Sequence, residues 1–216
     1  MTKVYENYVN GIKVLEYITE DGLKEGQESH WHMNGQKKYE HNNKEGQQEG
    51  QQLGWYNNGQ KDYEWNYKDG QQEGQQLYWY ENGQKMYEYN YKDWQQDGQQ
   101  LSWYENGQKE YEGNYKEGQQ DGQEIRWYEN GSKQYEGNFI KPKNRKKSKK
   151  DGLQIRWYEN GNKHFVENHK NGKEEGIYTA WYENGKKQCE INYKMGKAIS
   201  SIDWDEEGNE IVRRNY

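Results

Sequence analysis

Aromatic and polar residues alternate along this chain in a phrase that returns every 24 residues. In residues 71–94, QQEGQQLYWYENGQKMYEYNYKDW, one residue separates Leu77 from Trp79, and Tyr87, Tyr89 and Tyr91 alternate with Glu88 and Asn90. A period of two is the mark of a β-strand with two unlike faces. Two turn signals bound the strands: Glu81-Asn82-Gly83, and Lys92-Asp93 followed by a position that is glycine at Gly46, Gly70 and Gly118. Asn-Gly and Asp-Gly between Tyr-rich segments predict hairpins, so each phrase supplies two antiparallel strands. Trp31, Trp55, Trp79, Trp103 and Trp127 keep the 24-residue step, and after one step of 30 the series resumes at Trp157, Trp181 and Trp204. A glycine follows each of these tryptophans by four residues, and Gly11 lies one period upstream of Gly35. Repetition at a fixed period identifies a repeat array of about nine units.

The fold class that follows is all-β: an elongated single-layer antiparallel meander of about nine hairpins, or about 18 strands, coiled into a ribbon by the right-handed twist of its strands. The organisation is one array over residues 1–216. Aliphatic residues such as Val4, Val9 and Ile12 mark an N-terminal cap at 1–22, and Ile199, Ile202 and Ile211 mark a C-terminal cap at 197–216. The long step holds an insertion at 141–150, KPKNRKKSKK.

Side-chain parity then assigns the faces. A three-residue Glu-Asn-Gly loop with Gly83 left-handed pairs Tyr80 with Gln84. That register predicts a cohesive face shared by Leu77, Trp79, Tyr87, Tyr89 and Tyr91, because a slip of one residue would scatter the aromatics over both faces. The opposite, polar face then carries Tyr56, Tyr80, Tyr104 and Tyr128 beside Glu64, Glu88, Glu112 and Glu136, with a row of asparagines that includes Asn66 and Asn90. Gly50, Gly74, Gly98 and their equivalents, five residues before each Trp, are expected to make room for a neighbouring aromatic.

Composition sharpens this picture. With 29% hydrophobic residues and a mean hydropathy of −1.75 the chain has too few aliphatics for a thick core, yet 22 Tyr and 10 Trp against 2 Phe supply burial that is aromatic and evenly spread. The net charge is −6, and residues 141–150 hold seven basic and no acidic side chains. The repeats are therefore acidic, which argues against nucleic acid and for a basic protein partner. The sequence MTKVYENYVN has no apolar signal core, and no run of about 18 apolar residues occurs. A cytoplasmic protein is the expectation.

The unit G-x-x-x-x-W-Y-E-N-G-x-K-x-x-E-x-N-Y-K-x-G resembles the bacterial variant of the MORN repeat. WYENGQK at 79–85 and 103–109, WYENGSK at 127–133 and YEGNYKEGQQDG at 111–122 carry the likeness over essentially the whole chain. The resemblance implies an antitoxin-like or immunity-like protein, and more broadly a scaffold or membrane-associated module. Two departures stand out: Trp94, where the turn glycine belongs, and the insertion at 141–150.

Candidate chemistry is sparse. His30, His32, His41, His164 and His169 follow no metal-binding spacing, the single cysteine Cys189 falls at the repeat position of Tyr87, and no nucleophile or phosphate-loop motif occurs. No catalytic residue, metal ligand or cofactor is expected, and the chain reads as a non-enzyme. Partner binding is assigned to the polar face, with Tyr56, Tyr80, Tyr104, Tyr128, Glu64, Glu88, Glu112 and Glu136 facing a protein such as a basic toxin. Lys143, Arg145, Lys146, Lys147, Lys149 and Lys150 form a basic loop whose alternative target is an anionic membrane surface. A carbohydrate-binding aromatic repeat is the second alternative. Open sheet edges leave the oligomeric state undecided.

Overall fold

The computed structural model describes residues 1–143 and 147–216. The described residues contain no helix and form 21 strands of one open antiparallel sheet, from Lys3–Val9 to Glu210–Asn215. Three arms are each split by a bulge, as in Gln71–Gln72 and Gly74–Trp79, so the 21 strands make up the 18 hairpin arms that the repeat count predicts. The chain divides into two compact units, Met1–Gly98 with Ser102–Gly107, and Gln99–Leu101 with Gln108–Tyr216. Within each, an arm pairs with the arms before and after it in the chain. The terminal arms, expected as aliphatic caps, leave Val4 and Ile211 about two-thirds exposed (61% and 65%).

The central repeats share three interruptions of the ladder. The first is the predicted loop: Tyr80 N donates to Gln84 O at 2.8 Å, Gly83 N donates to Tyr80 O at 2.9 Å, and Gly83 has φ +86°. The second was not predicted. Trp79 opposes Lys85 but Tyr78 opposes Tyr87, which leaves Met86 as an extra residue in a β-bulge. One added residue exchanges the faces. Leu77 therefore opposes Glu88, and Gln76 opposes Tyr89. The cohesive face expected from Leu77, Trp79 and Tyr87 does not form; tryptophan, leucine and glutamate share one face, and the alternating tyrosines share the other.

The third interruption follows the Asp-Gly turn. This is a two-residue turn with both residues left-handed, Asp69 at φ +49° and Gly70 at +74°. Tyr67 opposes Gln72, yet Glu64 opposes Leu77, so two extra residues sit in the second arm. Gly74 lies there with φ +72°, and a Cβ on it would meet nothing within 4 Å. The recurring glycine thus provides a left-handed backbone rather than the room for an aromatic that its position suggested.

At this gap the ladder is completed by a side chain. Asn66 N donates to the Gln76 carboxamide oxygen at 3.2 Å, and Gln76 Nε2 donates to Asn66 O at 2.9 Å and Glu73 O at 3.1 Å. Gln52 does the same with Asn42 at 3.1 and 2.9 Å. The amide stands in for a peptide unit. Gln52, Gln76, Gln100 and Gln154 are the most buried large side chains, at 0–1% exposure. The centre of this single layer is built from saturated amides, as buried polar groups require, and the aromatics cover it.

Candidate binding surface

The face that carries the tryptophans is closed on itself. Glu64 receives Lys61 at 2.6 Å and Gln51 Nε2 at 2.8 Å, and Glu88 receives Lys85 and Gln75, both at 2.8 Å. Glu112 is held by Lys109 at 2.8 Å and Gln99 at 2.9 Å, and Glu136 by Lys133 at 2.7 Å and Gln123 at 3.0 Å. The same lysines lie over the next tryptophan, Lys61 5.3 Å from the Trp79 centroid and Lys133 5.9 Å from that of Trp157. Each exposed pair contributes under about 1 kcal/mol. Repeated along the rows, they leave little uncompensated negative charge for a basic partner to meet. Other acids serve the turns: Glu49 accepts from Asp69 N and Asp151 from Asn171 N, each at 2.8 Å.

The tyrosines assigned to partner binding are stitches between successive repeats. Tyr56 donates its hydroxyl to Trp79 O at 2.7 Å, Tyr80 to Trp103 O at 2.8 Å and Tyr128 to Trp157 O at 2.8 Å; Tyr104 holds the equivalent repeat position. Burial, followed by the charge of Asp62, pushes the Tyr56 phenol up to about 12. Strand alternation places Tyr80 on the side of Tyr78, away from Trp79. The expected site is thereby split: Tyr56, Tyr80, Tyr104 and Tyr128 do not share a face with Glu64, Glu88, Glu112 and Glu136. The bulge at Met86 and its equivalents is the cause.

The tyrosine face is where the units of this chain differ from one another. In the first unit, directly opposed positions of successive arms hold His30, Tyr39, Gly54, Tyr63, Tyr78 and Tyr87. Rings pile up there, His30 on Tyr39 at 4.1 Å, Tyr39 on His41 at 4.3 Å and Tyr63 on Trp65 at 3.8 Å. Burial lowers the pKa of both His30 and His41. In the second unit the same row reads Tyr111, Arg126, Tyr135, Arg156, Phe165, Ala180 and Cys189. Where the first unit has Trp65 and Tyr89, the second has Gly113 and Gly137. The Tyr111 and Tyr135 rings fold down over these glycines, so that a Cβ on either would collide with the hydroxyl two residues back. Burial raises both phenols above their usual range.

Flattening of those rings leaves a cleft of about 420 Å³. Tyr135, 6% exposed, forms its floor and gives its hydroxyl to the Gln154 oxygen. Arg126 and Arg156 oppose Tyr135 from either side. Arg126 Nε donates to the buried Glu124 at 2.6 Å, and its guanidinium lies 5.3 Å from the Tyr111 centroid. The Arg156 guanidinium lies 5.7 Å from the Phe165 centroid. Lys150 on the rim is paired with Glu167 at 2.8 Å. Two of these features were readable in advance: Arg126 and Arg156 are the only arginines at the repeat position of Tyr78, and the second glutamine of G-Q-Q-L recurs at 52, 76 and 100.

The basic insertion is shorter than its sequence suggested. Lys149 and Lys150 belong to the strand Lys149–Trp157, opposing Ile140 and Phe139, and Lys149 Nζ donates to Asn171 O at 3.3 Å. Lys143 and Lys147 are exposed, and Arg145 and Lys146 lie outside the described residues. Lys141 is tied down by Glu117 and by a 3.0 Å bond from its backbone N to Asp121. Cys189 is half-buried, and burial raises its thiol pKa. Among the described residues no group of three or more His, Cys, Asp or Glu could hold a metal ion.

No curated protein matches the chain. The family described as MORN repeat variant matches residues 48–69, 72–93, 96–117, 120–141, 150–171 and 174–195, six repeats that together cover more than half of it. Each match begins within the arm that carries the Trp and takes in the Asn-Gly loop, the bulge and the returning arm described above; the match at 150–171 starts just after the basic insertion. The chain belongs to the MORN repeat variant family.

Proposed function

We propose that this chain is a non-enzymatic protein-binding array of the antitoxin or immunity type, which occludes a cytoplasmic partner with its tyrosine face. MORN repeats are generally modules for protein or membrane interaction, and the family is not an enzyme family. One observation carries the reading. The residues that most repeats share are engaged within the sheet, while the exchanges of tyrosine for arginine and of tryptophan or tyrosine for glycine fall on one face, where rings and guanidinium groups supply the contact types that dominate interfaces.

The test is capture by the immobilised full-length chain from extract of its native host, followed by expression of any stoichiometric partner alone and with the chain. A partner that arrests growth alone and not in co-expression supports the proposal. Trp65→Gly with Tyr78→Ser, residues that the array itself uses at 113 and 102, should abolish capture, whereas Glu88→Gln with Glu112→Gln should not. Retention by the first variant and loss by the second would return the site to the tryptophan face. Exposed Lys143 and Lys147 motivate a parallel arm: co-sedimentation with phosphatidylserine vesicles that depends on residues 143–148, without protein capture, would replace the antitoxin reading with a membrane module.

A further inference from the structure

The arginine cleft of the second unit has more hydrogen-bonding capacity than the sheet uses. Arg126 commits one of its five N–H donors to Glu124, and the Arg156 guanidinium makes no hydrogen bond or ion pair among the described residues. Both are held in place with N–H donors to spare: Arg126 by its ion pair with Glu124 and by Tyr111, and Arg156, with no carboxylate partner among the described residues, by the Phe165 ring. A guanidinium stacked on a ring loses less freedom on binding than a free side chain, and its planar fork matches a carboxylate. The backbones that carry the two arginines are separated by one arm, or about 9.6 Å. Their guanidinium groups turn outward toward Tyr111 and Phe165, which leaves the Tyr135 floor between them.

We infer that this cleft takes an acidic segment of a protein partner, extended across the arms, with one carboxylate on Arg126 and a second on Arg156. The inference rests on the protein-binding reading above. Charge complementarity selects the occupant: Lys150 and the nearby Glu167 cancel as a pair, and the lining then holds Arg126 and Arg156 against the single carboxylate of Glu124. A residue advances the chain by about 3.3 Å, so two carboxylates two to four residues apart span the arginines. The aliphatic and aromatic atoms between them meet Tyr135. This reverses the polarity expected from net charge, because the glutamate row of the other face is paired with lysines while the Arg156 guanidinium is not paired.

The experiment is selection of a displayed library of random twelve-residue peptides on the full-length chain and, in parallel, on Arg126→Ser/Arg156→Ser. Serine already occupies that repeat position at Ser102, so the double variant keeps a side chain that the scaffold accepts; a thermal melt verifies its fold. The wild type should enrich peptides with two Asp or Glu residues two to four apart, the best of which binds at least tenfold more weakly to the variant in fluorescence anisotropy. Glu88→Gln/Glu112→Gln should bind it unchanged. Enrichment without paired acids, or equal binding by the arginine variant, overturns the acidic-segment inference and leaves the protein-binding reading standing. Absence of any enriched peptide, together with vesicle binding that the arginine variant loses, overturns both in favour of a membrane surface.

Discussion

The same row of the tyrosine face is a stack of rings in the first unit and an alternation of rings with guanidinium groups in the second, although the backbone register is the same in both. The difference starts from a single position in each returning arm. Tyr63 and Tyr87 meet an aromatic two residues on, and stack against Trp65 at 3.8 Å and Tyr89 at 5.3 Å. Tyr135 meets Gly137 and lies down, and its hydroxyl takes the carboxamide oxygen of Gln154. In the first unit that oxygen belongs to the backbone, since Gln52 and Gln76 accept from Asn42 N and Asn66 N. One glycine therefore redirects a buried hydrogen bond, lowers the surface and exposes the neighbouring arginines. The scaffold tolerates this because its own strength lies on the other face, and in the amides.

The sharpest way to test that division is to remove the amides. Gln76→Leu leaves Asn66 N, Asn66 O and Glu73 O without the partner that bridges the two-residue gap, and should cost about 2–4 kcal/mol, read as a lower denaturant midpoint at unchanged slope. Gln154→Leu should cost at least as much, because it also strands the buried Tyr135 hydroxyl. If Gln76→Leu unfolds within about 0.5 kcal/mol of wild type, the carboxamide is not the bridge, and the buried layer must be held by the rings.

How much of this was legible in the sequence follows from which effects are periodic and which are counted in single residues. The hairpins, the Glu-Asn-Gly loop and the number of arms are written in the spacing of Trp, Asn-Gly and Asp-Gly, and they stand. The faces were not legible by the same route. Parity reasoning had Tyr80 opposing Gln84 correctly, but Met86 is one residue, and a single bulged residue inverts everything beyond it. Nothing in Lys85-Met86-Tyr87 signals a bulge, since the position is filled by Met86, Asp62, Gln134 and His164 alike. The argument against scattering the aromatics assumed a hydrophobic layer. This sheet instead puts tryptophan under lysine on one side and tyrosine over glutamine on the other, so each face is amphipathic. The glutamines at 52 and 76 carried no signal in the hydrophobic pattern, because they replace a backbone bond, which hydropathy does not register.

A smaller effect separates the two units themselves. Gly137→Ala introduces a Cβ against both the Tyr135 hydroxyl and the Gln154 oxygen. The ring must rise or the amide must turn, and either change breaks their hydrogen bond, at a cost of about 1–3 kcal/mol. The displaced ring should also fill the cleft, weakening whatever binds there by more than the loss of stability accounts for. A variant with wild-type stability would mean that Tyr135 has a second resting place, of the kind Tyr63 finds on Trp65, and that the contrast between the units is one of rotamer rather than of fold.

The smallest effect is a gain. At the turn after Tyr91 both central residues are left-handed, Asp93 at φ +48° and Trp94 at +64°, where the other units have glycine at the second place, and the Trp94 side chain is 56% exposed. A side chain in that conformation costs about 1–2 kcal/mol relative to glycine, and an exposed ring recovers little of it. Trp94→Gly should therefore raise the stability of the chain by about 1 kcal/mol, seen as a higher melting temperature. Strain of this kind persists where it positions something, and an exposed tryptophan on a rigid turn is a suitable anchor for a partner. The informative result is the pair of measurements: higher stability with weaker capture of the partner would make Trp94 a binding residue held at a thermodynamic cost. Higher stability with unchanged capture would confine the binding surface to the face of the sheet, and lower stability would mean that the ring packs against its own arm.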